Sequence, residues 1–321
     1  NNQKRIKNSN INKLNYNASK LSKGQLRYYS TNTANKIGPY IAGLIEGDGH
    51  IAVHDKNSNS KKYHPKIIIV FNLNDRPLAE KLSTVLKVGK VIDRSNAGHV
   101  LLQILAKEEV LKIINLINGH MRTPKIEALH RAIDWINLEY GSSVSSLGLD
   151  TSPLNSNGWL AGFTDADGNF SITVSDRKRN NTVKTSVQTF FRIEVKQNYS
   201  RDVSVSQGGA SYFSIMTEIA EFFTVNLYTR TRTVGDKVYY AFMAIAHNSR
   251  SHKIVREYFD HFPLYSSKYL AYKDWCHAQD LHSTGRGKSL SKESLDKIKK
   301  IKDQFNNKRE IFDFSHLDDL I

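Results

Sequence analysis

Asp48 and Asp167 are the residues whose setting most directly suggests chemistry. Each closes a run with the same order of residue types, "YIAGLIEGDG" over 40–49 and "WLAGFTDADG" over 159–168. In a helix each acid would sit at the C-terminal end, the negative end of the macrodipole, where a carboxylate costs about 0.3–1 kcal/mol. An unfavourable placement made twice needs a compensating ligand, and a divalent cation is one. Hard carboxylate oxygens favour Mg²⁺. Paired acids holding such ions beside a phosphate ester can activate water and stabilise the leaving oxygen. Asp-Gly is also a common turn signal, so the turn alone explains one copy; two copies in matched surroundings favour the metal reading.

The elements that must position these acids are written around them. Gly43 and Gly47 are four residues apart, as are their counterparts Gly162 and Ala166. Small residues at that spacing let two helix backbones approach closely. Glycine inside a helix costs roughly 0.5–1 kcal/mol relative to alanine, which close packing of the two matched helices offsets. These four residues are therefore expected at the interface between the halves. Pro39 suits the first turn of one helix and Asn157 the cap of the other, while Gly49 and Gly168 are expected to supply a left-handed turn at each helix end.

After each Asp-Gly the apolar period changes to two: Ile51 and Val53 alternate with His50 and Ala52, and Phe170, Ile172 and Val174 with Ser171 and Thr173. A strand, a helix, a hairpin and further helices follow in both halves. The order helix-strand-strand-helix-strand-strand-helix thus occurs twice, an α+β plan. The expected divisions are a basic arm over 1–36, a first repeat over 37–140, a Ser/Gly/Asn-rich linker over 141–157, a second repeat over 158–282, and a basic helix with an acidic tail over 283–321.

Composition narrows the partner. The 321 residues carry a formal charge of +15, which points to a polyanion, nucleic acid ahead of an anionic membrane. No Asp or Glu precedes Glu46, whereas eight Lys or Arg do, so the first segment reads as a mobile basic arm. A mitochondrial transit peptide is the lesser reading, because Lys and Asn outnumber Arg there. The single Cys276 excludes a disulfide framework, and no apolar run reaches the length of a membrane span.

"IAGLIEGDG" and "LAGFTDADG" resemble the two signature copies of a single-chain LAGLIDADG homing endonuclease, over roughly residues 37–282. The resemblance implies a duplicated αββαββα fold with a pseudo-twofold axis and two antiparallel sheets forming a DNA-binding saddle. It further implies site-specific cleavage of a long asymmetric duplex target, short 3′ overhangs, and dependence on Mg²⁺, as two or more ions whose sites Mn²⁺ or Ca²⁺ can also occupy. By the same resemblance Asp48 and Asp167 are metal ligands, whereas Glu46 and Asp165 are not and take surface or capping roles. A water-positioning glutamine falls on Gln197, with Leu73 as its counterpart in the first half. Lys125 and Lys268 match a central lysine of some relatives; a strand position used by others holds Gln103 and Met243. DNA contacts are expected from outward strand positions: His50, His54, Lys56, Asn72, Arg94, Ser171, Thr173, Arg177, Arg192, Lys196, Arg230 and Arg232. Arg and Lys there can read guanine edges or hold phosphates.

Rival readings use the same residues differently. "IEVK", containing Glu194 and Lys196, imitates the acid-x-Lys pattern of restriction-type nucleases, but occurs once on an alternating strand. Some relatives are maturases that bind host intron RNA; a metal-free DNA-binding protein is a third possibility. A pure splicing cofactor or DNA binder has no need for both acids, so the presence of both favours the nuclease, alone or doubling as a maturase. The resemblance to two-motif proteins of fungal introns, with the Asn/Lys/Ile/Tyr/Phe bias, implies a mitochondrial, monomeric protein and no membrane partner.

Overall fold

Buried residues recur at every second position along the strands and at three- and four-residue spacings along the helices, the two periodicities by which one face of each element meets a core. The computed structural model describes residues 33–53, 64–179, 182–201, 203, 209–283 and 290–320. The arm up to residue 32, and His54 and Lys56, lie outside the described residues, as does the side chain of Arg177.

The first half runs α1 (Thr33–Asp48), β1 (Gly49–Ala52), β2 (Lys66–Asn72), α2 (Arg76–Leu86), β3 (Lys90–Arg94), β4 (His99–Ile104), α3 (Lys107–Ile117) and α4 (Ile126–Tyr140). The second runs α5 (Trp159–Asp167), β5 (Gly168–Arg179), β6 (Thr182–Lys196), α6 (Phe213–Phe222), β7 (Leu227–Val234), β8 (Lys237–Ala246), α7 (Ser249–His261) and α8 (Lys268–Ser283), and α9 (Lys292–Asp303) follows. Two four-stranded antiparallel sheets result, ordered β1-β2-β4-β3 and β5-β6-β8-β7. Corresponding strands pair in corresponding registers, Gly49 with Ile69 and Gly168 with Ile193. One face of the first sheet, bearing Ile67, Ile69, Phe71, Val100 and Leu102, is buried; Phe170, Phe191 and Ile193 do the same in the second.

Several local expectations are corrected. Helix α1 begins at Thr33, so Pro39 lies inside it and not in its first turn. The missing N–H costs one helical hydrogen bond, which burial of Ile37, Tyr40, Ile41, Leu44 and Ile45 outweighs. Gly168 is extended (φ −80°, ψ 157°), and Gly49 has no positive φ either. Glycine is needed at both for space. A Cβ on Gly49 would lie 2.6 Å from Ile45 Cα, and one on Gly168 2.4 Å from Thr164 Cγ2, because the chain doubles back against the helix it has just left.

The registers also separate Gln103 from Met243. With Ile69 pairing Leu102 and Ile193 pairing Ala244, the counterpart of Met243 is Leu101. The C-terminal segment, for all its charge, packs onto the second repeat. Ile298 of α9, Phe305, Leu317 and Leu320 are buried, and Asn306 Nδ2 donates to Phe170 O over 2.9 Å.

Candidate active site and nucleic-acid face

Helices α1 and α5 pack backbone against backbone. A Cβ on Gly43 would lie 2.1 Å from Trp159 O, and one on Gly162 1.9 Å from Tyr40 O. One turn on, a Cβ on Gly47 would lie 2.1 Å from Ala166 Cβ and 3.3 Å from an Asp167 carboxylate oxygen. Any larger residue at these positions would force the helices apart, and with them the acids at their ends.

Asp48 and Asp167 are the last residues of these helices. Burial raises both carboxyl pKa values; Asp167 reaches about 6, with the negative charge of Asp48 as the next cause. Asp48 keeps an exposed side chain yet is crowded closely enough to be desolvated. Lys268 and Lys125 pull both acids back toward the charged form. Among the described residues neither carboxylate accepts a hydrogen bond. Two neighbouring carboxylates, short of donors and repelling one another, are a donor set that a divalent cation fits. Among the described residues there is no group of three or more His, Cys, Asp or Glu that could hold a metal.

The other motif acids are not at the surface. Glu46 is 2% and Asp165 6% exposed, which overturns the surface reading and leaves a capping role of unexpected reach. Glu46 accepts from the backbone N–H groups of Arg122 and Thr123 at 2.6–3.1 Å. Asp165 accepts from Tyr265 N at 2.8 Å and Ser266 Oγ at 2.5 Å. Each therefore fixes the turn that leads into α4 or α8. Burial raises both pKa values, Glu46 to about 7, and the hydrogen bonds oppose this.

Those turns carry Lys125 and Lys268. The Lys125 ammonium donates to Ile45 O, Gly47 O and Gly49 O at 3.0–3.2 Å; that of Lys268 donates to Thr164 O, Asp165 O and Ala166 O at 2.5–3.1 Å. Each lysine thus caps its own half's motif helix with all three donors, a cation at the negative helix end beside the acid. Neither is solvent-facing, and burial lowers both pKa values.

Further partners escaped the sequence reading. Tyr40 OH donates to Asp165 over 2.7 Å, and Trp159 Nε1 to Glu46 over 2.6 Å, across the interface in both directions. Asp75 Oδ1 accepts from Ser267 N at 2.6 Å and lines, with Asp48 and Lys268, a cavity of about 220 Å³. Arg122 is 4% exposed and bonds Asp150, Ser152 and Glu218, clamping the linker to both halves. The one available signal was in the repeat itself, where the first aromatic of each motif, Tyr40 or Trp159, is a hydrogen-bond donor.

Gln197 lies one residue past β6. Its backbone N–H donates to Tyr240 O at 3.0 Å, and its amide nitrogen is 3.5 Å from Ala241 O. The strand alternation places His50, Asn72, Arg94, Ser171, Thr173, Arg192, Lys196, Arg230 and Arg232 on the sheet faces away from the core. Asn72 Oδ1 also accepts from Asn74 N at 3.0 Å. Glu194, set aside above, receives Arg230 at 2.9 Å and lies 3.8 Å from Arg192 on that same face.

A duplicated α+β chain with two acid-tipped helices packed together defines a class of protein. The chain belongs to the LAGLIDADG endonuclease family, whose pattern matches residues 41–136 and 160–279. It is 36% identical over 304 residues to the intron-encoded DNA endonuclease aI3 of Saccharomyces cerevisiae, covering 88% of this chain and 72% of that protein. It is 25% identical to the intron-encoded RNA maturase bI4 of the same yeast, over 58% of this chain and 27% of that one. The fold matches the homing endonuclease I-GzeII in complex with its DNA target (TM-score 0.61, 15% identity, 85% of this chain and 99% of that one). It also matches I-SmaMI bound to uncleaved DNA in the presence of calcium ions (TM-score 0.57, 15% identity, 83% and 98%).

Proposed function

We propose that this chain is a site-specific double-strand DNA endonuclease, encoded in a mitochondrial intron and acting as a monomer to cut the intron-free allele. The observation that carries the reading is the equivalent placement of Asp48 and Asp167 at the ends of two helices in backbone contact. One acid per half matches one cut per strand. Asp48 and Asp167 would hold Mg²⁺, which supplies Lewis-acid activation of water and neutralises charge on the leaving oxygen.

The chain's own residues do the rest. Lys125 and Lys268 hold the helix ends and add positive potential where phosphates approach. Gln197 is assigned to orienting water in one half-site only, since its counterpart is Leu73. His50, Asn72, Arg94, Ser171, Thr173, Arg192, Lys196, Arg230 and Arg232 contact the duplex, and the net charge of +15 draws it in. The likeness to an RNA maturase favours a second use, binding of host intron RNA, which a splicing assay with the intron transcript tests.

The decisive experiment incubates the protein with plasmid carrying candidate intron-insertion sites, in Mg²⁺ and in EDTA. Double-strand cutting in Mg²⁺, abolished by EDTA and by Asp48→Asn or Asp167→Asn, is the expected result. Tight binding to a verified site without cutting would sink the proposal.

A further inference from the structure

One cross-strand row differs sharply between the outward faces of the two sheets. In the first sheet Val70 pairs with Leu101, and Leu101 with Ile92, so three adjacent strands present branched aliphatic side chains in line. Ile68 lies two residues from Val70 on β2, hence on the same face. None of the four packs against the core, whereas Ile67, Ile69, Val91, Val100 and Leu102, on the opposite face, all do. Val70 is 38% exposed and the others are half-buried. By register the equivalent row of the second sheet is Glu194, Met243 and Tyr228, where Glu194 holds Arg230. Equivalent positions are thus aliphatic in one half, and acidic, thioether or phenolic in the other.

An apolar patch on a solvent-facing sheet calls for an occupant. Its surroundings specify one. The same face carries Lys66, Lys90 and Arg94, and among its described strand positions no acid. The occupant must be polyanionic and offer small apolar groups on its accessible edge. The major groove of duplex DNA does so through the C5-methyl of thymine, which unmodified uracil lacks. Val70 lines the same cavity as Asp48, so the row starts beside the acid.

We propose that Val70, Leu101 and Ile92, with Ile68 beside them, determine specificity by contacting thymine methyl groups in the half-site covered by the first sheet. This rests on the endonuclease reading above. The probes are duplexes recovered by selection for cleavage from a randomised library, with the thymines of one half-site at a time replaced by deoxyuridine. That change removes the methyl and keeps the base pairing. Affinity is expected to fall about fourfold per contacted methyl in one half-site, to change little in the other, and to become insensitive to the replacement in Leu101→Asn or Ile92→Asn. Equal affinity for thymine and uracil duplexes in both half-sites overturns the inference and leaves the endonuclease reading standing. A uracil penalty undiminished in both variants assigns the methyl contacts elsewhere and overturns it too. Failure to recover any cleaved duplex overturns both.

Discussion

Tyr40 of the first half donates its hydroxyl to Asp165 of the second over 2.7 Å, and the repeat mirrors this bond with Trp159 donating to Glu46. The two motif helices therefore exchange hydrogen bonds, each aromatic securing the acid that orders the other half's lysine-bearing turn. Removing the Tyr40 hydroxyl leaves a buried carboxylate short of a donor, which costs roughly 1–3 kcal/mol. Tyr40→Phe should lower stability by that amount in urea unfolding, with unchanged secondary structure. A loss within experimental error would show that the exchange contributes nothing.

Gly162 tests the backbone contact. Its Cβ would fall 1.9 Å from Tyr40 O, an atom that moves only with its helix. Gly162→Ala should destabilise by about 1–3 kcal/mol or more and reduce cleavage through misplacement of Asp167. Gly148→Ala, whose Cβ would meet nothing within 4 Å among the described residues beyond its chain neighbours, is the control and should stay within about 0.5 kcal/mol of wild type.

Lys125 and Lys268 are each predicted to support both acids. Lys125→Met leaves three carbonyls at one helix end without their cation and removes a charge that stabilises both acids. Cleavage of both strands should fall by at least about tenfold, equivalent to 1.4 kcal/mol. Cleavage at the wild-type rate would show that the lysine does not support the acids.

Acid sensitivity should come in part from His252. Burial lowers its pKa from 6.5 to about 4, and Nε2, buried against Trp275, has no hydrogen-bond partner among the described residues. The unfolded chain binds this proton more readily than the folded one. Its contribution is therefore complete above pH 6.5 and is lost as pH falls toward 4, on the order of 2–3 kcal/mol. His252→Phe should flatten the fall of Tm across that window; an unchanged slope would assign the acid sensitivity elsewhere.

Arg230 and Arg232 offer a measurement in salt. A residue that neutralises one phosphate contributes about one to the slope of log affinity against log salt. Arg232→Ala should make that slope shallower by about one at every sequence tested. Arg230, held by Glu194, should alter base preference as well as slope.

The duplicated order of elements was legible in the sequence because it is written in local periodicities, three to four residues for α1 and α5 and two for the strands that follow. The place of Asp48 and Asp167 at helix ends was legible for the same reason, as was the need for small residues at 43, 47, 162 and 166. What tertiary structure alone decided is what surrounds the acids. Glu46 meets Arg122 and Thr123 from 76 and 77 residues away, and Tyr40 meets Asp165 from 125. Burial of those carboxylates, enclosure of Lys125 and Lys268, and the return of the C-terminal segment to Phe170 all depend on surfaces brought together by folding. A local pattern records which face of an element is apolar; which distant donor will meet a buried carboxylate is settled only when two such faces close on each other.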